Sequence, residues 1–279
     1  MFGHSTTYRR IAGLLADGGG VVLDGGVASE LARGHARSPW AIYDETSSVL
    51  DVHRRYASAG CDVISTNTWG LLTSAETDRG RRPGRTGLPA WTVATRDAVS
   101  LARRGIAEAG RTGECAVAFS LNDADPLLVG TQHLLALLWT ADPPDLALVE
   151  TLPSEPSASL LGAITAIADA GLPVWTSFKG AVGAAALARV EDAGISAVLV
   201  NCVPREAIAA TVAGMATHTT LPVGCYPRLD HPCRPEAYGE EALEWRAAGA
   251  RIIGGCCGVG PDHIAAVRQR VAQPAAAPS

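Results

Sequence analysis

Two adjacent cysteines, Cys256 and Cys257, stand inside a glycine cluster in the stretch "RIIGGCCGVGPDHI" (residues 251–264). Neighbouring side chains on a regular strand point to opposite faces, so a shared site would normally receive only one of them. The flanking glycines let the backbone leave the pleat and aim both sulfurs together. A third cysteine, Cys202, closes another apolar run, "AVLVNCV" (197–203). Three converging thiolates would form a zinc site with one tetrahedral position open, the pattern of a catalytic rather than a structural ion. The alternative for Cys256 and Cys257 is a vicinal disulfide. No CxxC spacing is present, so a zinc-ribbon module is excluded.

The other cysteines carry weaker signals. Cys61 and Cys115 open apolar runs and read as small core residues. Cys233 lies in a polar loop. Cys225 ends a run between those that carry the candidate ligands, and it either reaches the metal or turns into the wall.

Eight short apolar runs must position these groups: 21–26, 62–68, 115–121, 146–152, 174–178, 197–203, 221–226 and 251–257. Between them lie segments with apolar residues at helical spacing, such as Leu160, Ile164, Ile167 and Ala168. Gly60, Gly171, Gly194 and Gly249 each stand where a helix should end, just before the next run. Near-continuous apolar strands alternating with helices predict a parallel sheet covered on both faces. Eight such units predict an α/β fold of the (β/α)8 TIM-barrel type, a single domain over residues 1–271. A doubly wound open sheet is the competing topology, and residues 272–279 read as a disordered tail. Catalytic groups of a barrel gather at the C-terminal ends of its strands. Those ends hold Asp24, Thr66, Asn67, Ser120, Glu150, Ser177, Asn201, Cys202, Cys225, Tyr226, Cys256 and Cys257.

Composition narrows the function classes. Charged residues make up 18% of the 279, against about 25% in an average domain, and the net charge is −5. The densest basic stretch, "RGRRPGR" (79–85), reads as a solvated loop, so no nucleic-acid partner is expected. No run reaches the ~20 apolar residues of a membrane span. No secretory signal opens the chain, and seven cysteines do not suggest a disulfide framework, so a cytoplasmic location is expected.

Five motifs resemble the zinc-dependent homocysteine S-methyltransferase family, over about residues 20–270. They are "LDGGVASEL" (23–31), "AGCDVISTNTW" (59–69), "VETLPS" (149–154), "VNCVP" (200–204) and "GGCCGVGPDHI" (254–264). The resemblance implies the same barrel, with Zn2+ held by Cys202, Cys256 and Cys257 as the catalytic centre. It also implies that Asp24 and Glu150 bind the amino-acid part of homocysteine, with the Gly25 and Gly26 amides near its carboxylate. Asn67, in the second-strand motif, joins the substrate-binding candidates.

The implied reaction is methyl transfer to the homocysteine thiol, giving methionine. A chain with no room for folate or cobalamin domains favours a small sulfonium donor, S-methylmethionine or S-adenosylmethionine. A folate donor would need a proton, for which His133 and His231 are candidates. Departures from the family pattern cluster at the rim. "SLNDADP" (120–126) lacks the usual Gly-Pro, "YPRLDHP" (226–232) has Arg228 where Asn is usual, and "VGP" follows the paired cysteines. They keep open a different thiol or donor, and, as a non-enzymatic reading, a metal- or thiol-binding barrel.

Overall fold

The computed structural model describes residues 4–33, 40–71, 90–122 and 142–271. Four of the sequence expectations lie outside the described residues: the loop 79–85, the segment 123–126, His133 and the tail 272–279. Eight parallel strands run in chain order: β1 (Val21–Val22), β2 (Val63–Ser65), β3 (Ala116–Asn122), β4 (Leu146–Leu152), β5 (Val174–Phe178), β6 (Ala197–Pro204), β7 (Val223–Arg228) and β8 (Ala250–Ile253). Each pairs with its neighbours in sequence, and β1 pairs with β8. A bridge from Leu23 to Val63 joins β1 to β2 and closes the ring. That closure rules out the doubly wound open sheet.

The helices of the described residues, numbered in chain order, precede, separate or follow the strands. They are α1 (Thr6–Ala16), α2 (Val27–Arg33), α3 (Ala41–Asp44), α4 (Thr46–Ser58), α5 (Ala90–Glu108), α6 (Ala158–Asp169), α7 (Ala184–Asp192), α8 (Ile208–Ala216), α9 (Pro235–Ala247) and α10 (Pro261–Val271). On α6, Leu160, Ile164 and Ile167 face the core, as the helical spacing predicts. The four capping glycines all adopt positive φ, from +88° to +114°, where a Cβ would clash. No helix of the described residues is long and apolar enough to cross a membrane.

Strand alternation divides the apolar residues into two sets. One set, including Val22, Ile64, Val117 and Val149, fills the layer between strands and helices. The other, including Val21, Leu23, Val63, Leu148, Trp175, Leu199 and Ile252, fills the barrel interior. Helix α1 plugs the N-terminal end of that interior with Tyr8 and Ile11, and Trp175 Nε1 donates to the Tyr8 hydroxyl at 3.4 Å. The barrel is thus stoppered at the bottom, so any cavity must open at the top.

Strands one and eight are shorter than the sequence pattern suggests, ending at Val22 and Ile253 instead of Gly26 and Cys257. Glycine explains both truncations. The Gly255 N–H donates to the Asp24 carbonyl, and a Cβ on Gly254 would lie 2.7 Å from that same oxygen. The two segments approach too closely there for a side chain, which is why glycine stands at these positions.

Candidate functional site

The Sγ atoms of Cys202, Cys256 and Cys257 lie within 4.8 Å of one another, making a group of metal-ligand type. Those of Cys256 and Cys257 are 3.8 Å apart, and all seven cysteines are free thiols. The vicinal disulfide is therefore not formed. Cys202 reaches the group through a break in β6: its φ is +53°, and the β6–β7 register shifts between Asn201 and Pro204. A regular strand would have turned its side chain elsewhere. Cys257 accepts hydrogen bonds from the Cys202 and Cys256 thiols, which draws its pKa down, while donating to those neighbours and burial push Cys256 up.

Cys225 is fully buried in the strand–helix layer, with its thiol pushed up by desolvation. It takes the wall alternative. Cys61 and Cys115 occupy the same layer, and Cys233 lies outside the sulfur group, where Arg205 Nη1 contacts its sulfur at 3.0 Å.

A cavity of about 260 Å³ opens beside the sulfurs. Its lining includes every candidate site residue: Asp24, Gly25, Gly26, Asn67, Glu150 and the three cysteines. Asp24 accepts from the Ser65 N–H at 2.8 Å and from the Ser65 hydroxyl at 2.9 Å. Glu150 accepts from the Ser120 hydroxyl at 2.5 Å and from Tyr226 at 3.1 Å, and Tyr226 is itself 2.5 Å from the Ser177 hydroxyl. Among the described residues neither carboxylate has an ion-pair partner. Desolvation consequently raises Asp24 well above the usual carboxylate range and lifts Glu150 to about 7. A cavity wall with two such acids is suited to a cationic group brought in by a ligand.

The two glycines after Asp24 have separate roles. The Gly26 N–H donates to the Val259 carbonyl at 3.0 Å, so it is not available to a carboxylate. Gly25 has no backbone acceptor for its N–H among the described residues. A side chain at Gly26 would stand 2.5 Å from the Cys256 carbonyl oxygen, so this glycine lets the first loop press against the cysteine pair. His231 is exposed and does not line the cavity.

Several lining or supporting residues were not singled out as site residues from the sequence. Ser120, Ser177 and Tyr226 stood among the polar strand ends, and the structure links them through Glu150. Ser65 follows directly on the apolar core of β2 and holds Asp24. Trp69, 51% exposed, lines the cavity. Its signal was available, because it closes the second-strand motif just past the strand's C-terminal end, where barrel sites gather.

A family model for homocysteine S-methyltransferase matches residues 21–271, from the first strand to the last helix. The chain belongs to the homocysteine S-methyltransferase family. Homocysteine S-methyltransferase 4 of Zea mays is 26% identical, covering 91% of this chain and 90% of its own length. The metallated form of the homocysteine methyltransferase MmuM from Escherichia coli has 25% identity and a TM-score of 0.73, covering 92% of this chain and 98% of that one. Methionine synthase of Mycobacterium leprae is 28% identical over 80% of this chain, which spans only 21% of that protein's length. Family members of one-barrel size and a much longer enzyme therefore share this unit.

Proposed function

We propose that this protein is a zinc-dependent thiol S-methyltransferase that transfers a methyl group from a small sulfonium donor, S-methylmethionine or S-adenosylmethionine, to homocysteine to give methionine. One observation carries the reading: three convergent sulfurs share a cavity with the buried Asp24 and the half-buried Glu150, neither of which has a cationic partner among the described residues. Two thiolates on a tetrahedral zinc with Zn–S bonds of about 2.3 Å would stand about 3.8 Å apart, and Cys256 and Cys257 already do. Cys202, Cys256 and Cys257 would thus fit as three ligands, and all three line the cavity.

When bound, zinc would deprotonate a coordinated substrate thiol near neutral pH, where a free thiol with pKa about 8.5 is a poor nucleophile. The remaining work falls to the chain's own groups. Glu150 and Asp24 receive the substrate ammonium, Glu150 being held in place by the Ser120 and Tyr226 hydroxyls. The Gly25 N–H is available to the substrate carboxylate, and Asn67 closes the same wall. Leu23, Val27 and Leu148 exclude water around the reacting sulfur. The exposed indole of Trp69 offers its face to the sulfonium cation of the donor. A sulfonium leaves as a neutral thioether, so no proton donor is required, and no histidine is among the described residues that line the cavity.

A second reading retains the zinc-thiolate chemistry with another thiol. It is favoured by the altered rim, where Arg228 replaces the family's usual Asn. The partners in either case are small molecules, and seven free cysteines suit a reducing, cytoplasmic setting. The test is methionine formation by purified, zinc-supplemented protein given homocysteine and each sulfonium donor, alongside a panel of other thiols. Methionine as the main product supports the proposal. Turnover of another thiol with none of homocysteine replaces it with the second reading, and no methyl transfer to any thiol leaves a binding barrel.

A further inference from the structure

Cys202 lies near the end of β6 and the cysteine pair follows β8, so β7 runs between the two sources of sulfur. The end of β7 touches both. On one side its backbone continues the ladder into the cysteine pair: the Cys256 N–H donates to the Pro227 carbonyl at 2.8 Å, and the Leu229 N–H to the Cys257 carbonyl at 2.9 Å. On the other side its Arg228 side chain crosses to β6, where Nη1 donates to the Cys202 carbonyl at 2.6 Å. The same guanidinium is steadied by Asp230, whose Oδ1 accepts from Nε at 2.7 Å.

We infer that Arg228 is a positioning residue for the metal site, a clamp that sets Cys202 against the Cys256–Cys257 pair. The inference rests on the zinc reading proposed above. Cys202 needs such a support because its φ of +53° is a conformation that a residue with a Cβ adopts reluctantly. Its position falls in the β6–β7 register shift, and its carbonyl accepts from a side chain instead of a ladder amide. If that bond is lost, the peptide can relax toward strand geometry, which carries the sulfur away from its partners. A planar guanidinium fixed at two of its nitrogens is well suited to hold a carbonyl in one place. Arg228 does not line the cavity, so it acts on the ligand set and not on the reacting atoms.

The experiment measures zinc affinity by competition with a chromophoric chelator, and the ligand-field spectrum of the cobalt-substituted protein. Both are read for wild type, Arg228→Ala, Arg228→Lys, Asp230→Ala and Lys179→Ala. Partners that orient metal ligands from behind typically account for 10- to 100-fold in affinity. Arg228→Ala is therefore expected to weaken zinc by about 10- to 100-fold and to shift the cobalt spectrum. Arg228→Lys, which retains a donor for the carbonyl, should recover much of the loss. Lys179 is the other cation that acts electrostatically on Cys202, with no bond to its carbonyl. Lys179→Ala should change affinity by less than about twofold, as expected of a screened surface charge.

Thermal unfolding of the metal-free proteins checks that the variants fold. Should Arg228→Ala be misfolded, Asp230→Ala decides: a several-fold loss supports the clamp, and wild-type affinity overturns it. Wild-type affinity and spectrum in folded Arg228→Ala overturn it directly. So does an equal loss in Lys179→Ala, which would assign the effect to charge alone. Wild-type protein that binds no zinc overturns the zinc reading and the clamp with it.

Discussion

Two carboxylates at the starts of barrel strands and two at the ends of strands are treated in opposite ways. At the N-terminal end, Asp62 is held by the Val22 N–H at 2.9 Å and by the guanidinium groups of Arg10 and Arg268. Asp145 is held by the Val117 N–H at 2.7 Å and by Arg103 at 3.2 Å. At the C-terminal end, Asp24 and Glu150 receive amide or hydroxyl donors and, among the described residues, no cation. A buried acid with its counter-ion supplied by the chain is a structural joint. A buried acid without one is a vacancy for a charge that arrives from outside. The same residue type thus supports folding at one end of the barrel and recognition at the other.

The largest effect expected from breaking this contrast is at the sulfurs. Cys257→Ala should abolish both bound zinc and methyl transfer, because two thiolates make a poor zinc site. Metal analysis beside the activity assay checks this, and full zinc retention would remove Cys257 from the ligand set.

Next in size is the loss of the ammonium contact. Glu150→Gln should lower kcat/KM for homocysteine by about 10- to 100-fold, the worth of a charge-assisted hydrogen bond. It should leave zinc content and turnover of a thiol without an amino group nearly unchanged. Equal losses for both thiols would show that Glu150 does not read the ammonium. Its titration sharpens the point. With a pKa of about 7, Glu150 becomes ionised as pH rises through that value, so homocysteine use should climb there in wild type more than in the Gln variant. Folding follows the same titration with the opposite sign. The pKa is raised from 4.5, so the group's contribution to stability is full below that value and is lost as pH rises through about 7. Denaturant midpoints measured across this window should fall with pH in wild type and fall less in Glu150→Gln.

At the other end the expectation reverses. Asp62→Ala should destabilise the fold by about 1–3 kcal/mol, since the buried Val22 N–H loses its acceptor and two arginines lose a partner. KM for homocysteine should stay at its wild-type value in protein that remains folded. A rise in KM without loss of stability would erase the distinction between the two ends.

The smallest effect is at Trp69. An exposed cation–π contact contributes about 0.5–1 kcal/mol, so Trp69→Ala should raise KM for the sulfonium donor by only about two- to fivefold. The homocysteine KM should not move. If the two shift together, the indole shapes the cavity in general and does not face the donor.

Much of this architecture was legible in the chain because it rests on local chemistry. Apolar β-branched runs form strands, the stretch from Leu160 to Ile167 shows its helical face, and Gly60, Gly171, Gly194 and Gly249 end helices with the positive φ that only glycine takes cheaply. The paired cysteines among glycines, and polar groups at one end of every strand, likewise pointed to the candidate site. Ring closure supplied the rest. Whether Cys225 faced the metal or the wall depended on the register of β7, which a one-residue shift would invert. The left-handed turn at Cys202, the hydroxyls that hold Glu150, the capture of the Gly26 amide by Val259 and the reach of Arg228 to β6 all join residues distant in sequence. Such contacts form only when the barrel brings strand ends together, so residue type and spacing named the chemistry while tertiary structure decided which atoms meet.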